Sequence, residues 1–561
     1  MSGFNLADLF EIVVDAAPDR EVLVAPPRRL TLSELDQRAN RLAHVLRGLG
    51  IGRGDHVGLQ LVNGTEYVEG MLACFKLSAV PINLNFRYVE AELRHLYEDA
   101  DLVAVIHHRQ FASRVASAAR ETPLLRHLIL VDDGSAERPP PGAVDYEQAI
   151  AAADPTRPLN VARNGDDHYI AYTGGTTGLP KGVVWRQEDI FFAAMGGGDP
   201  FAAGNVVNSP HELAERLPES GVTMLATPPM MHVSAQWGVF LTLFTGGRVV
   251  FPPPGSLDPE ATLRLMAAER VNLLIIVGDA MARPLAAAMR LAEEAGAPYD
   301  LSALLAIGSG GATLSMTAKS QLSQLLPNAM IIDGLGSSET GILGTKPHES
   351  GDTSPGSRFS VNAHTQVLDD DGQPVTPGSG IAGRLARQGR MPLGYYKDEA
   401  KTKATFLDIN GRRWAVSGDR ATVEADGTVV LLGRGSTCIN TGGEKVYPEE
   451  VEAALWSAPE VADALVVGVP DGRWGERVVA IVKPAVGQTP TLQCLSEHVR
   501  GQLAGYKVPR SLILVDALER TPAGKPDYTW ARNLAMAQAN ESNPISASRE
   551  AHPEGVSVEA S

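Results

Sequence analysis

A short run that starts at Tyr172, YTGGTTGLPKG, combines glycines, threonines and one lysine. Glycines let successive backbone N–H groups converge on an anion, threonines add hydroxyl donors, and Lys181 supplies a positive charge. The preceding residues, DHYIAY, are typical of a strand, so the run is predicted to be the loop that follows it. These features predict a phosphate-binding loop. A tight turn after a buried strand is the alternative interpretation.

The spacing within this run excludes two common nucleotide-binding motifs. A Walker A loop requires glycine directly before the lysine, whereas Leu179 and Pro180 separate Gly178 from Lys181. A Rossmann fingerprint requires G-x-G-x-x-G, but Thr176 stands where the second glycine would follow Gly174. The chain also has no G-x-S-x-G elbow, which argues against an α/β-hydrolase. The run is therefore predicted to be a phosphate site of another class.

The elements that would position this loop follow an α/β pattern. Thr31 and Glu34 have the spacing of a capping box ahead of an apolar helical stripe, and the next segment, HVGLQL, is typical of a strand. Helix and strand patterns alternate through most of the chain, which favours α/β layers. After GRGSTCINTGGEKVYPEEVE the pattern changes to a helix that starts near Pro448. Two predicted strands, ADALVVGVP and RVVAIVKP, a predicted helix, LQCLSEHVRGQLAG, and a predicted strand, SLILV, follow it. That order is typical of a compact α+β unit.

These patterns predict three parts of the chain. Residues 1–434 are predicted to form a large domain and residues 435–535 a small one. Residues 536–561 are polar and rich in small side chains, so we predict a disordered tail there.

Composition limits the classes of function. The chain has 561 residues, with 49 Lys and Arg against 66 Asp and Glu, a net charge of −17 that argues against nucleic-acid binding. Three cysteines, without a CxxC spacing, predict neither a disulfide framework nor a zinc site. The N-terminus lacks the basic region of a signal peptide and no apolar run is long enough to span a bilayer, so a cytoplasmic protein is expected. Peripheral membrane contact and a homodimer are left open.

Other blocks along the chain give the Gly/Thr run a family context. The run matches the pattern [ST]-[SG]-G-[ST]-T-G-x-P-K-G, and the chain resembles the adenylate-forming superfamily of acyl-CoA synthetases, adenylation domains and luciferases. Six further blocks resemble motifs of that superfamily in the same order: PPMMHVSAQWG, GSGGATLS, DGLGSSET, WAVSGD, GRGSTCINTGGEKVYPEEVE and RTPAGKPDY. GDAMARPL and INTGGEKVYPEEVE most resemble actinobacterial fatty-acyl and steroid side-chain acyl-CoA ligases. The resemblance implies an α/β N-terminal domain with several subdomains and a small, mobile α+β C-terminal domain.

The resemblance implies an ATP site whose residues are carried over motif by motif. The residues that would hold the β- and γ-phosphates are Thr173, Gly174, Gly175, Thr176, Thr177, Gly178 and Lys181. Ser338 would contact the α-phosphate, and Glu339 would bind Mg²⁺, a hard cation suited to carboxylate and phosphate oxygens. The residues implied around adenine and ribose are Gly310, Gly311, Ala312, Asp333, Asp419 and Arg434. Lys525 would be the mobile catalytic lysine that bridges the substrate carboxylate and the α-phosphate.

A second reaction step and a moving domain are also implied. Attack of a carboxylate on the α-phosphate gives an acyl-adenylate and pyrophosphate, and the thiol of coenzyme A then displaces AMP. The family rotates its small domain between the two steps about a hinge, which is Ser436 in this chain. The coenzyme A loop implied is Gly442, Gly443, Glu444 and Lys445. Ser436 departs from the usual Asp or Lys, and Leu335 replaces the tyrosine that usually stacks on adenine.

The block PPMMHVSAQWG, from Pro228, resembles the substrate-gate motif of the superfamily and bears on which acid is activated. Amino-acid-activating relatives usually carry an Asp four residues before the tryptophan, where this chain has Val233 before Trp237. A free amino acid is therefore not the expected substrate. The implied lining is apolar and adaptable, which favours a fatty or sterol-derived acid; its members are Met230, Met231, Val233, Ala235 and Trp237. His232 would gate the path of the carboxylate. Ordinary core packing and a half-buried structural histidine are the alternatives.

Two other functions stay open at this point. The acceptor of the acyl group could be an amine or a carrier-protein pantetheine instead of coenzyme A. The chain could also be a nucleotide-binding regulatory protein that keeps the fold, although the intact Lys525 and Glu339 argue against that.

Overall fold

The computed structural model describes residues 3–173, 180–201, 204–312, 314–348, 357–434, 437–441, 444–471, 475–503, 505–521 and 525–541. The chain divides into two compact units: a large unit, Met1–Thr353 with Arg358–Leu431, and a small unit, Ser354–Ser357 with Leu432–Ser561. The domain boundaries at residues 434 and 535 stay predictions. The last helix continues to Glu541, past the start of the predicted tail at residue 536, and residues 542–561 lie outside the described part.

The helices of the described residues have these bounds: α1 Leu6–Ala16, α2 Leu32–Gly48, α3 Thr65–Lys76, α4 Glu90–Asp99, α5 Ala112–Ala119, α6 Tyr146–Ala152, α7 Gln187–Ala194, α8 Glu212–Glu215, α9 Val233–Phe244, α10 Pro259–Ala268, α11 Gly278–Glu294, α12 Met316–Leu325 and α13 Glu399–Thr405 in the large unit. Those of the small unit are α14 Pro448–Trp456, α15 Leu492–Arg500 and α16 Tyr528–Glu541.

In chain order, the strands of the large unit begin with β1 Glu21–Ala25, β2 Arg28–Thr31, β3 His56–Gln60, β4 Val80–Asn83, β5 Leu102–His108, β6 His127–Val131, β7 Val144–Asp145, β8 His168–Thr173, β9 Lys181–Arg186, β10 Thr223–Ala226, β11 Arg248–Val250, β12 Leu273–Ile276 and β13 Ala306–Ser309. They are followed by β14 Met330–Ser337, β15 Gly341–Pro347, β16 Ser357–Val361, β17 Thr365–Leu368, β18 Gly383–Arg387, β19 Gly394–Tyr395, β20 Phe406–Ile409, β21 Arg412–Val423 and β22 Val429–Arg434. The small unit adds β23 Ile439–Thr441, β24 Glu444–Val446, β25 Val461–Asp471, β26 Gly475–Pro484 and β27 Ser511–Leu514.

Two sheets with parallel centres position the large unit's predicted site residues. One contains the order β14-β13-β12-β10-β11-β1, in which every neighbouring pair is parallel. The other has the order β19-β9-β8-β4-β3-β5-β6-β7, with β8 to β7 parallel and β9 and β19 antiparallel to their neighbours. Parallel strands need long crossover connections, and helices lie in the crossovers between these buried strands, so the predicted α/β class is confirmed.

The predicted capping box and the helix that follows it are confirmed at α2. Thr31 Oγ1 accepts from the Glu34 N–H, and the Thr31 N–H donates to Glu34 Oε2 at 2.8 Å. The apolar stripe behind this cap is buried, with Leu35 and Leu42 fully inaccessible to solvent. The cap satisfies N–H groups that the first helical turn leaves unpaired, so the helix begins where the sequence predicts.

A buried ionic cluster ties three helices of the large unit together. Lys76 at the end of α3 has a fully buried side chain whose Nζ donates to Glu11 Oε1 at 2.6 Å and to Asp36 Oδ1 at 2.7 Å. Burial disfavours the charged form of Glu11, but hydrogen bonds and charges of Arg163 and Lys76 lower its pKa to about 2. The buried ammonium is thus paired and hydrogen-bonded, as a charge in the interior must be.

The small unit is a sheet covered by helices on both faces. β25 alternates between two apolar clusters, because Val466 packs with α14 and α15 while Val467 packs with α16. The predicted helix start is confirmed, since Pro448 is the first residue of α14, where its missing N–H costs no helical hydrogen bond. The predicted strands correspond to β25, β26 and β27.

Within the described residues, no helix combines the length and apolar character that a bilayer span requires.

Candidate active site

The Gly/Thr run connects two antiparallel strands of the large unit. β8 ends at Thr173 and β9 begins at Lys181, and these two residues are paired across the strands. Gly174, Gly175, Thr176, Thr177 and Gly178 lie outside the described residues. The predicted strand before the run is confirmed, and Thr173 and Lys181 stand at the two ends of the predicted phosphate loop.

Lys181 has a carboxylate partner that the sequence did not indicate. Its Nζ forms an ion pair with Asp398 Oδ2, and this contact lowers the pKa of the Asp398 carboxyl. Asp398 also accepts from the Lys401 N–H as the N-cap of α13. The lysine side chain is 40% exposed, so this ion pair lies at a partly solvent-accessible position.

Glu339, the predicted Mg²⁺ ligand, is held by a neighbouring strand. Tyr395 Oη donates to Glu339 Oε1 at 2.8 Å, and burial, followed by the charge of Glu339, raises the pKa of Tyr395. Tyr395 lies on β19, which pairs with β9, the strand that begins at Lys181. Adjacent strands therefore carry Lys181 and the tyrosine bound to Glu339.

Glu339 offers a site that suits one Mg²⁺ contact. Among the described residues, Tyr395 alone hydrogen-bonds this carboxylate, through Oε1, so Oε2 keeps its lone pairs. No group of three or more His, Cys, Asp or Glu side chains with metal-binding geometry occurs in that part of the chain. Mg²⁺ in nucleotide sites is commonly held by one or two carboxylates together with phosphate oxygens and water. A single carboxylate beside a predicted phosphate loop fits that arrangement.

The predicted adenine residues lie at the carboxyl edge of the parallel sheet. Gly310 and Gly311 directly follow β13, whose Ser309 is paired with Asp333 on β14. Gly311 has φ of +82°, and a Cβ placed there would meet no protein atom within 4 Å. The backbone therefore requires glycine at 311 and leaves an open face beside it, and ligands of α/β sheets usually bind at this edge. Ala312 is half-buried next to it.

Asp333 is paired with a lysine that the sequence analysis did not single out. Lys319 Nζ on α12 forms an ion pair with Asp333 Oδ2. Burial raises the pKa of Asp333, and the charge of Lys319 works in the opposite direction. A role of Asp333 toward the adenine amino group stays a prediction, and any such contact would share the carboxylate with Lys319.

Ser338 and Asp419 are each held by a hydrogen bond from another residue of the large unit. The Ser338 carbonyl accepts from Trp185 Nε1 at 2.9 Å, which fixes the backbone next to Glu339. Asp419 Oδ2 accepts from Ser417 Oγ at 2.7 Å across Gly418, whose φ is +84°. Their contacts with phosphate and ribose remain predictions.

The gate residues belong to the interior of the large unit. Met230, Met231, Val233, Ala235 and Trp237 are at most 8% exposed, and all except Met231 lie in its largest core cluster. His232 is half-buried and precedes α9, where its carbonyl accepts from the Ala235 N–H. These positions are compatible with core packing as well as with an acyl lining, so both interpretations remain.

The backbone of Lys525 is held by Thr521 in the small unit. Its N–H donates to Thr521 Oγ1 at 3.2 Å and its carbonyl accepts from the Thr521 N–H at 2.8 Å. Arg434 ends β22, and Glu444 and Lys445 begin β24, but the side chains of all three lie outside the described part. The same holds for all of Ser436, Gly442 and Gly443.

Tyr395, Asp398 and Lys319 are the site residues that sequence reasoning missed. A local signal exists for Asp398, which has the position of a helix N-cap before Glu399. Tyr395 and Lys319 have their partners, Glu339 and Asp333, on other elements of the fold. The spacing of residues within one segment therefore does not predict these contacts.

Comparisons with known proteins fit this geometry. The family model of AMP-binding enzymes matches residues 10–396, and that of the AMP-binding enzyme C-terminal domain matches residues 450–525. The chain is 48% identical to a 3-oxocholest-4-en-26-oate–CoA ligase of Rhodococcus rhodochrous, covering 95% of this chain and 96% of that protein. It is 47% identical to a medium/long-chain-fatty-acid–CoA/3-oxocholest-4-en-26-oate–CoA ligase of Mycolicibacterium smegmatis, covering 95% and 96%.

Solved structures show the same fold. The anthranilate CoA ligase AuaEII in complex with anthranoyl-AMP has a TM-score of 0.80 and 25% identity over 95% of this chain and 98% of its own. ATP-bound MatB from Rhodopseudomonas palustris has a TM-score of 0.79 and 26% identity over 95% and 99%. With both family models matched and nearly the whole length shared with its relatives, the chain belongs to the AMP-binding enzyme family.

Proposed function

We propose that the chain activates a hydrophobic carboxylic acid with ATP and transfers the acyl group to coenzyme A, releasing AMP and pyrophosphate. The observation that carries this proposal is the β8–β9–β19 arrangement, in which Lys181 begins one strand and Tyr395, bound to Glu339, lies on the next. The two ligases that share 47–48% of its residues support the same overall reaction.

The first step joins the acid to AMP. A carboxylate oxygen attacks the α-phosphorus, the bond to the bridging oxygen breaks, and pyrophosphate leaves with that electron pair. Lys181 would hold the β- and γ-phosphate oxygens, and Lys525 would stabilise charge on the α-phosphate and carboxylate oxygens. Glu339, oriented by Tyr395, would hold Mg²⁺, which when bound neutralises phosphate charge.

The second step releases AMP. The sulfur of coenzyme A attacks the acyl carbon of the adenylate, a thioester bond forms, the bond to the phosphate oxygen breaks, and the thiol proton goes to solvent or a base. Asp419 and the glycines at 310 and 311 would keep AMP bound during this exchange. Gly442, Gly443, Glu444 and Lys445 are our candidates for the coenzyme A loop, with Ser436 as the hinge before it.

The acid is proposed to be a fatty acid or a steroid side-chain acid. The apolar set from Met230 to Trp237 and Val233 in place of an aspartate support an uncharged acyl chain. The names of the Rhodococcus and Mycolicibacterium relatives include both kinds of acid. The expected setting is the cytoplasm, and the cysteines at 74, 438 and 494 form no disulfide within the described residues, which is consistent with it. A homodimer and peripheral membrane contact belong to the same proposal.

Thioester formation across a panel of fatty and steroid acids tests the proposal. With ATP, Mg²⁺ and coenzyme A, we expect a long-chain or sterol-derived acid to give acyl-CoA and stoichiometric AMP. Acid-dependent pyrophosphate exchange without coenzyme A should accompany it. AMP release that requires an amine or a carrier pantetheine would support the alternative acceptors. Absence of exchange with every acid would contradict the enzyme function and support a regulatory protein.

Replacing Tyr395 by phenylalanine should weaken Mg²⁺–ATP binding about threefold to tenfold. The change removes only the hydroxyl that orients Glu339, and one hydrogen bond is worth ~1 kcal/mol. Calorimetric titration with Mg²⁺–ATP measures the effect without turnover. Tyr396→Phe is the matched control, because that neighbouring hydroxyl donates to Asp101 at 2.8 Å instead. Equal affinities of the two variants would contradict a role of Tyr395 at Glu339.

A further inference from the structure

Backbone contacts join residues 519–521 to residues 525–527 in the small unit. The Asp527 N–H donates to the Glu519 carbonyl at 3.2 Å, and Arg520 and Pro526 form an isolated β-bridge. Together with the two bonds between Thr521 and Lys525, these contacts fix the backbone on both sides of the lysine. These contacts join the two segments to each other, but they do not attach them to the rest of the small unit.

Side chains at the two ends of the loop make that attachment. Arg520 Nη2 pairs with Asp463 Oδ2 at 2.6 Å. Tyr528 Oη donates to Glu452 Oε2 at 2.9 Å. Asp463 is on β25 and Glu452 is on α14, so residues just before and just after the loop are bound to adjoining elements of the same unit.

The Tyr528 contact is the more rigid of the two. Glu452 is 2% exposed, and its other oxygen, Oε1, accepts from the Val466 N–H of β25 at 2.8 Å. Both carboxyl oxygens therefore have fixed donors inside the small unit, while Arg520 and Asp463 are about a quarter to a third exposed. Burial, reinforced by the charge of Glu449, raises the pKa of Glu452 well above its usual range. Side chains with buried, fully satisfied hydrogen bonds hold their geometry well.

We propose that Tyr528 and Glu452 are positioning residues for Lys525 in acyl-adenylate formation. Tyr528 begins α16 three residues after Lys525, so its bond to Glu452 anchors the chain directly after the lysine. This inference rests on the proposed function, because it assumes that Lys525 acts in the first half-reaction.

The expected signature is a loss confined to that half-reaction. A misplacement of about 1 Å costs ~10²-fold in rate when a catalytic group must meet the reacting atoms. Loss of the Tyr528–Glu452 hydrogen bond should displace Lys525 by less than that, so we expect a loss of about tenfold in rate. The loss should fall on kcat, with the KM values for ATP and acid nearly unchanged, since Lys525 acts on the charge that develops during reaction. Thioester formation from supplied acyl-adenylate does not use Lys525 and should stay within about twofold of the unaltered protein.

Tyr528→Phe in the full chain is the direct test. Pyrophosphate exchange measures the first half-reaction, and consumption of synthetic acyl-adenylate with coenzyme A measures the second. Tyr506→Phe supplies the same chemical change elsewhere in the small unit, on a partly buried ring beside Lys507, and should leave both rates unchanged. Glu452→Gln keeps a hydrogen-bonding partner for Tyr528 and should retain most exchange activity, whereas Glu452→Ala should lose about as much as Tyr528→Phe.

The outcomes separate this inference from the proposed function. If the unaltered protein catalyses exchange and Lys525→Ala does not, while Tyr528→Phe matches the unaltered protein, the positioning role is wrong and the proposed function stands. Equal losses in both half-reactions would show that Tyr528 is needed for the fold of the small unit, which also overturns the inference. If the unaltered protein shows no exchange with any acid, the proposed function fails first.

Discussion

Replacing Lys525 by alanine should lower the rate of acyl-adenylate formation about 10²- to 10³-fold and leave thioester formation from supplied acyl-adenylate nearly unchanged. Removing one group that stabilises transition-state charge typically costs ~3–4 kcal/mol, which gives this range. The loss should appear in kcat, measured by acid-dependent pyrophosphate exchange, because phosphoryl-type transfer depends on positioned positive charge.

The backbone around Lys525 indicates that the variant will fold. The lysine's N–H and carbonyl both bond to Thr521, and alanine keeps both of these contacts. Lys483→Ala is the matched control, since Lys483 is an exposed lysine on β26 of the same unit. We expect its exchange rate to lie within about twofold of the unaltered protein, as for most exposed substitutions.

The split between half-reactions decides whether Lys525 is the adenylating lysine. Equal losses in pyrophosphate exchange and in the coenzyme A step would contradict that role and would point to a general disturbance of the small unit. Lys525→Arg adds a graded comparison, because it keeps the charge on a longer, planar group that does not reproduce the geometry of an ammonium. An intermediate rate is expected for it.

The elements of this fold could be predicted from the sequence where local signals are strong. Thr31 with Glu34 and Pro448 each mark a helix start by satisfying or avoiding the unpaired N–H groups of a first turn, and both helices begin there. Helix α15 ends at Arg500, short of the predicted LQCLSEHVRGQLAG stretch, with Gly501 as its C-cap. Glycine disfavours helix interiors, so the periodic pattern there overstated the helix.

The contacts inside the candidate site could not be predicted in the same way. The Lys181–Asp398 and Tyr395–Glu339 pairs join residues that are distant in sequence and meet because β19 adds to the edge of a sheet next to β9. The motifs identify Lys181 and Glu339 by their own spacing but contain no information about which strand becomes the neighbour. The role of the gate residues from Met230 to Trp237 could not be predicted for a different reason. Buried apolar side chains suit core packing and an acyl lining equally well, so their burial does not distinguish the two roles.

Replacing Lys181 by alanine should weaken ATP binding about 10- to 100-fold and leave the fold intact. A hydrogen-bonded contact between an ammonium and a charged group is worth ~1.5–3 kcal/mol, and the β- and γ-phosphates would lose one such partner. Lys181 pairs with Asp398, which still accepts from the Lys401 N–H after the substitution. A partly exposed ion pair contributes little to stability, so the thermal midpoint should change by no more than a few degrees.

Lys397→Ala is the matched control for the effect of Lys181→Ala on ATP binding and stability. Lys397 lies one residue before Asp398, is 45% exposed and pairs with Asp101 at 2.7 Å, so the two lysines match in exposure and in having one carboxylate partner. Only Lys181 stands at the end of the predicted phosphate loop. Calorimetric titration with ATP and thermal unfolding should therefore give weakened binding for Lys181→Ala alone and similar midpoints for both variants. If Lys181→Ala instead unfolds while Lys397→Ala does not, the run from Tyr172 is a structural turn that requires its lysine. A phosphate loop needs that side chain only when nucleotide is present.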